Sequence, residues 1–255
     1  MTDRRLSVQW CHPFRFNGAT LSISVHCDPP ISVDADPGIS VDTDPPQKPN
    51  SPKLHLHQTT PGMPILTFHI KLVGTEPLVT RTFKVSSEIS MYELHHTIQV
   101  VMGWKNYHLY QFEIGDTILA DSRLWDEDEM GPITDVKELS VDDVFTNVGT
   151  TSAYEYDFGD GWMHHLELVD RSIHPTQEVL PLVISGENAC PPEDCGGIHG
   201  YKNLLDSLKN PKHPEYGETK VWVGSTFNPT KFSVDAHNKE LGKLNKYMKE
   251  YEEGF

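Results

Sequence analysis

Apolar and polar positions become regular from about residue 64 onward. PILTFHIKLV at 64–73 has the β-branched and aromatic enrichment of a strand. Gly74-Thr75-Glu76-Pro77 then turns the chain, and Leu78 to Val85 predicts a second strand paired with the first in an antiparallel hairpin. Ser90-Met91-Tyr92-Glu93 is a capping box, in which hydroxyl and carboxylate each satisfy an otherwise unpaired backbone N–H. Met91, Leu94, Ile98, Val101 and Met102 follow as one apolar stripe at helical spacing, and Gly103 ends the helix. Tyr107 to Ile114 returns to strand composition, and Gly115-Asp116 turns it toward Thr117 to Ala120. Hairpin, helix, strand is the order of a β-grasp core.

Beyond an acidic loop at Asp126 to Glu129, Ser140 is placed to cap a single helical turn through Phe145. YEYDFGDGWMHHLEL at 154–168 predicts a second hairpin. Tyr154, Tyr156 and Phe158 alternate on its first strand, and Trp162, His164, Leu166 and Leu168 on its second. Pro181 to Ser185 can add a strand. A helix is expected from about Gly200 to Lys209, stopped by Asn210-Pro211. A short apolar piece around Trp222 leads to a terminal docking helix with Val234, Leu241, Leu244, Met248 and Tyr251 inward. The expected class is α+β, a β-grasp-like ββαβ core extended by the second hairpin and C-terminal helices.

Ahead of this pattern, residues 28–60 form an acidic, proline-rich segment in which ISVDADP at 31–37 is nearly repeated as ISVDTDP at 39–45. Such a stretch resists regular helix or central strand, and it is expected to be a disordered linker. Residues 1–27 offer one possible strand and are read as an N-terminal tail, leaving 61–255 as the folded domain.

The formal charge is −16, and eleven acidic residues face two basic ones between Glu113 and Phe145. Binding along a phosphate backbone relies on Lys/Arg clusters, so the charge argues against a nucleic-acid partner and favours a basic one. The last helix, with five lysines and five acids over 231–255, is a solvated face. No apolar run approaches a membrane span, and the first residues lack a signal-peptide core, so the expected location is cytoplasmic. Four cysteines, Cys11, Cys27, Cys190 and Cys195, suit free thiols or metal ligands better than disulfides.

Two blocks carry the candidate chemistry: the 154–168 hairpin and CPPEDCGGIHGY at 190–201. A polar site shared by them would use Asp157, Asp160, Trp162, His164, Glu193, Asp194 and Tyr201 for a ligand. Asp157 and Asp160 also fit a simpler role as turn carboxylates beside Gly159 and Gly161. His164, Cys190, Cys195 and His199 could supply the mixed sulfur and nitrogen shell that zinc accepts, although the C-x₄-C spacing is wider than that of a zinc knuckle. The packed alternative is a buried cysteine and a strand histidine bonded to a backbone carbonyl. A cysteine nucleophile fits two trios equally, Cys195 with His164 and Asp160 or Cys190 with His164 and Asp157, so the spacing selects neither.

YEYDFGDGWMHHLEL, CPPEDCGGIHGYKNLLDSLKNPKHPEY and VWVGSTFNPTKFSVDAHNKEL together resemble the plasmid pRiA4b ORF-3-like family over roughly residues 64 to 250. The resemblance implies an α+β domain with a β-grasp-like half. Members occur on plasmids and as passenger genes of insertion elements, sometimes labelled resolvase, which implies a mobile-element accessory role as one alternative. The six arginines form no cluster in the folded part, so a recombinase is not expected. The leading expectation is a noncatalytic binding module for a protein partner or small ligand. Its rival is a zinc-dependent, hydrolase-like enzyme.

Overall fold

The computed structural model describes residues 62–173 and 179–254. The tail expected over 1–27 and the linker over 28–60, with its repeated heptapeptide, lie outside the described residues. The described chain is α+β. Strands β1 (Pro64–Leu72) and β2 (Val79–Ser86) form the first hairpin and α1 (Met91–Met102) follows. Next come β3 (Tyr110–Ile114), β4 (Thr117–Ala120), α2 (Glu127–Met130), β5 (Thr134–Asp135) and α3 (Val141–Val144). The second hairpin is β6 (Thr151–Tyr156) with β7 (Trp162–Ile173), followed by β8 (Leu182–Glu187), α4 (Gly197–Lys209), α5 (Tyr216–Val223), α6 (Val234–Leu241) and α7 (Leu244–Glu253).

All eight strands join one sheet in the order β5-β4-β3-β6-β7-β1-β2-β8. Every pair is antiparallel except β4 with β5. The hairpin, helix, strand order is present. However, β3 reaches β1 only through β6 and β7, so the second hairpin is the centre of the sheet rather than an appendage. That position explains the alternation read from the sequence. Tyr154, Tyr156, Trp162, Leu166 and Leu168 are fully buried, and Phe68 packs edge-on against Phe145 at 4.8 Å between centroids.

Helix α1 begins as the capping box requires. Glu93 N donates to Ser90 Oγ at 3.1 Å, and Ser90 N donates to Glu93 Oε2 at 2.8 Å. Gly103 closes it in the left-handed conformation at φ 96°. Ser90→Ala is expected to cost about 1 kcal/mol in a denaturant titration; an unchanged midpoint would show that tertiary packing alone holds this terminus. The helix is covered nearly all round, because α6 and α7 pack on it as well as the sheet. Arg81 pins its far end. The guanidinium is buried, with Nε donating to Val101 O at 3.0 Å and Nη1 to Glu187 O at 2.8 Å, and it lies 4.0 Å from the centre of the Phe232 ring.

Three local expectations change. The piece around Trp222 is the helix α5, with Trp222 exposed. The single terminal helix is two, α6 capped by Ser233 and α7 after a break at Gly242, yet Leu241, Leu244 and Met248 are inward as expected. The strand expected from Tyr107 starts at Tyr110, because the preceding residues form a loop bonded to the second hairpin.

Candidate functional site

At the tip of the β6–β7 hairpin, Asp157 takes φ 58°, and its Oδ1 accepts from Gly159 N at 3.0 Å and Asp160 N at 3.3 Å. This is a side-chain-closed turn, the local role expected of it. Asp157 N donates to Leu109 O at 2.8 Å, which ties the tip to the loop ahead of β3.

The 190–199 loop lies directly against this tip. Gly196 N donates to Asp160 Oδ2 at 3.1 Å. A Cβ on Gly197 would stand 2.4 Å from Asp160 O, so the two backbones meet where only glycine fits. Trp104 Nε1 donates to Pro191 O at 3.1 Å, and Lys105 N to Glu193 Oε1 at 2.7 Å. Tyr156 OH donates to Glu193 at 3.2 Å, and burial raises the Glu193 pKa above the ordinary carboxylate value. The two signature blocks and the 103–109 loop therefore form one surface.

At their junction stands His108, which no local pattern in the sequence singled out. Its Nε2 is 3.2 Å from Asp194 Oδ1, 3.5 Å from Asp157 Oδ2 and 3.9 Å from Glu193 Oε2. Asp194 is exposed and, like Asp157 and Asn106, has a positive φ, here 56°. Asp157 and Asp194 thus sit at sharp bends, and the bend at Asn106 lies two residues before His108.

The zinc set expected from His164, Cys190, Cys195 and His199 is not the set brought together here. Among the described residues, the group of three or more His, Cys, Asp or Glu side chains with ligand atoms within 4.8 Å of one another is His108, Asp157 and Asp194. His164 is a core residue: Nδ1 donates to Tyr154 O at 3.0 Å, its ring packs against Trp104, and burial lowers its pKa to about 4. His199 is exposed on α4. Both thiols are free, and burial pushes them up, Cys195 to about 12 and Cys190 further. Neither cysteine trio gains an activated thiolate from this environment.

Trp162 and Tyr201 are also buried. Tyr201 has its pKa raised by burial to about 12, and its hydroxyl finds no partner among the described residues. Of the seven ligand candidates, Asp157, Asp160, Glu193 and Asp194 lie where the hairpin tip meets the 190–199 loop, with Asp157 buried and Asp194 exposed, whereas Trp162, His164 and Tyr201 are core residues. Helix α4 starts at Gly197 without a side-chain cap.

An eight-stranded α+β domain with a histidine and acidic junction at its central hairpin describes the class. The chain belongs to the plasmid pRiA4b ORF-3-like family, whose profile matches residues 64–236. It is 34% identical over 185 residues to a Sinorhizobium fredii protein described as uncharacterized protein y4hQ, covering 71% of this chain and 89% of that one. The crystal structure of MM3350, a protein of unknown function from Methanosarcina mazei Go1, superposes with a TM-score of 0.61 at 26% identity, covering 69% of this chain and 98% of that one. No helix among the described residues is long and apolar enough to cross a membrane.

Proposed function

We propose that this chain is an intracellular, noncatalytic binding module, built on a β-grasp-like plan, that takes a cationic group of a basic protein partner or small ligand at the His108 junction. The observation carrying this reading is the convergence of Asp157, Glu193 and Asp194 on one histidine nitrogen, within 3.9 Å. Three carboxylates crowded at one point repel one another, and a guanidinium or ammonium relieves that repulsion while donating charge-assisted hydrogen bonds to their oxygens. The acidic surface would also draw a basic partner from a distance.

The test is calorimetric titration with the blocked tripeptide acetyl-Gly-Arg-Gly-amide at low salt. Binding weakened about tenfold or more by Asp194→Asn supports the reading, since a charge-assisted bond is worth on the order of 1.5–3 kcal/mol. Absent binding, or equal binding by the variant, ends it.

A second reading, a metal-dependent enzyme, is favoured by the 4.8 Å grouping of His108, Asp157 and Asp194. Zinc accepts imidazole nitrogen and carboxylate oxygen, and three protein ligands would leave a position open for water. Protein purified without chelator should then hold one metal per chain and lose it in His108→Ala and Asp194→Asn. A metal-free product after zinc supplementation removes the enzyme reading.

A further inference from the structure

Beside the His108 junction a second hollow opens between the turn at Asp194, α4 and α5. It is an open groove of about 480 Å³, with Asp194, Asn203, Glu215, Glu218, Thr219 and Trp222 around it. Its outer wall is α5, which buries none of its own residues and is tied to α4 where Ser207 Oγ donates to Thr219 Oγ1 at 3.0 Å. The groups that carry the chemistry are within reach of solvent. Asp194, Glu215 and Glu218 are exposed, and Trp222 is 52% exposed next to Val221 at 83%.

Glu215 and Glu218 stand at the start of α5, where negative charge suits the helix dipole, and that position accounts for the acids. It does not account for the indole left half in water against them. Nor are these charges matched from within the chain. Elsewhere on the C-terminal helices Asp206 pairs with Lys209, Glu240 with Lys243 and Glu250 with Lys246. Glu215 and Glu218 have no ion pair among the described residues, and no lysine or arginine lines the groove. An exposed aromatic face bordered by unpaired carboxylates repels an anion and favours a cation with a flat or apolar body. A guanidinium meets both demands, since its plane stacks on an indole while its edge donates to carboxylates.

We infer that the groove takes a second arginine side chain of the same basic partner, so that the segment recognised carries two arginines two residues apart. This rests on the cation reading of the His108 junction. Asp194 is the link: its Oδ1 lies 3.2 Å from His108 Nε2, and the same carboxylate borders the groove. One side chain therefore separates the two subsites. On an extended peptide, side chains two residues apart leave from the same face about 7 Å apart, a span that two arginine stems can adjust to.

The test is calorimetric titration of the full chain at low salt with acetyl-Gly-Arg-Gly-Arg-Gly-amide and acetyl-Gly-Arg-Gly-Gln-Gly-amide. The dibasic peptide should bind at least about tenfold more tightly, the worth of one charge-assisted hydrogen bond. Trp222→Ala keeps every charge, and it replaces an exposed side chain on a helix with no buried residue. It should cut the dibasic advantage at least about fivefold. An advantage that survives Trp222→Ala intact is long-range attraction to an acidic chain and overturns the inference. So does a dibasic peptide within about twofold of the monobasic one, while the junction reading then stands on the monobasic peptide's own loss of affinity in Asp194→Asn. If neither peptide binds, both fall.

Discussion

Acidification from pH 7 to pH 4.5 is expected to remove on the order of 5 kcal/mol of stability, enough to unfold a domain of ordinary stability. Two buried histidines carry the quantity. Burial lowers His164 to about 4 and His96 to about 3, against 6.5 for the free side chain. A group whose folded pKa is depressed contributes stability above its unfolded pKa, and that contribution is lost as pH falls toward the folded value. At pH 4.5 each of the two has lost roughly 2–3 kcal/mol. His95, held well below the ordinary histidine value by burial and by the neighbouring His96, adds in the same direction.

Around His96 the charges oppose each other: Glu252 and Asp121 raise its pKa, whereas Lys137 and Arg123 lower it, so burial decides the sign. Glu193 works the other way. Its raised pKa gives stability that is present at low pH and lost as pH rises through the folded value, a partial offset at the acid end. Denaturant titrations at pH 7.5, 5.5 and 4.5 should show a falling midpoint across that series. In His164→Asn the slope of stability against pH should be shallower by about one proton. A midpoint that is flat or rises toward pH 4.5 would refute the assignment of these histidines as neutral core groups.

The same histidines show where sequence patterning stops. The stripe Met91, Leu94, Ile98, Val101 and Met102 was legible because one apolar face is all that packing on a sheet requires. His96 falls off that stripe, and His95 lies on it, four residues after Met91 and three before Ile98, but the polarity of both suggests solvent. His95 is buried against the sheet, stacked on Tyr110 and bonded to Tyr154 OH, whereas His96 is buried because α7 covers the other side of α1, with Tyr251 edge-on against it at 4.9 Å. That cover is a long-range contact between helices far apart in the chain, which no local period encodes. The break at Gly242 was hidden for a related reason: Leu241 and Leu244 suit one continuous helix as well as two.

At the candidate site, legibility followed the range of each interaction. The Asp157 turn closes on its own next residues, so its chemistry could be read from DFGDG. That the hairpin and the 190–199 loop are distinctive blocks was also visible, but their contact was not, since Asp160 meets Gly196 across the fold. His108 lies outside both blocks. It acquires its position from a loop held by Tyr156 OH and the Glu193 carboxylate, and in sequence it is one more polar residue before a strand. His164 illustrates the opposite error. Strand alternation placed it correctly on an inward face, and an inward face of a central strand is where a histidine bonds backbone rather than metal.

Gly197→Ala is expected to lower stability by about 2–4 kcal/mol and to abolish ligand binding at the His108 junction. Gly197 has φ +64°, a conformation costing an L-residue on the order of 1–2 kcal/mol. Its new methyl would also stand 2.4 Å from Asp160 O, and backbone on both sides leaves no flexible side chain to yield. Such overpacking adds about 1–3 kcal/mol. The strain is relieved by lifting the 190–199 loop off the hairpin tip, which takes Asp194 and Glu193 away from His108. Gly200 reports the same tightness one turn later, since a Cβ there would overlap Cys195 O. Gly217→Ala is the control. It lies inside α5 with nothing within 4 Å of the added methyl, so alanine should be neutral or stabilise by up to about 1 kcal/mol. If Gly197→Ala matches Gly217→Ala in stability, the loop and hairpin are not in the contact that the whole site depends on. If it is destabilised but still binds the arginine tripeptide at full affinity, the junction is not where the cation goes.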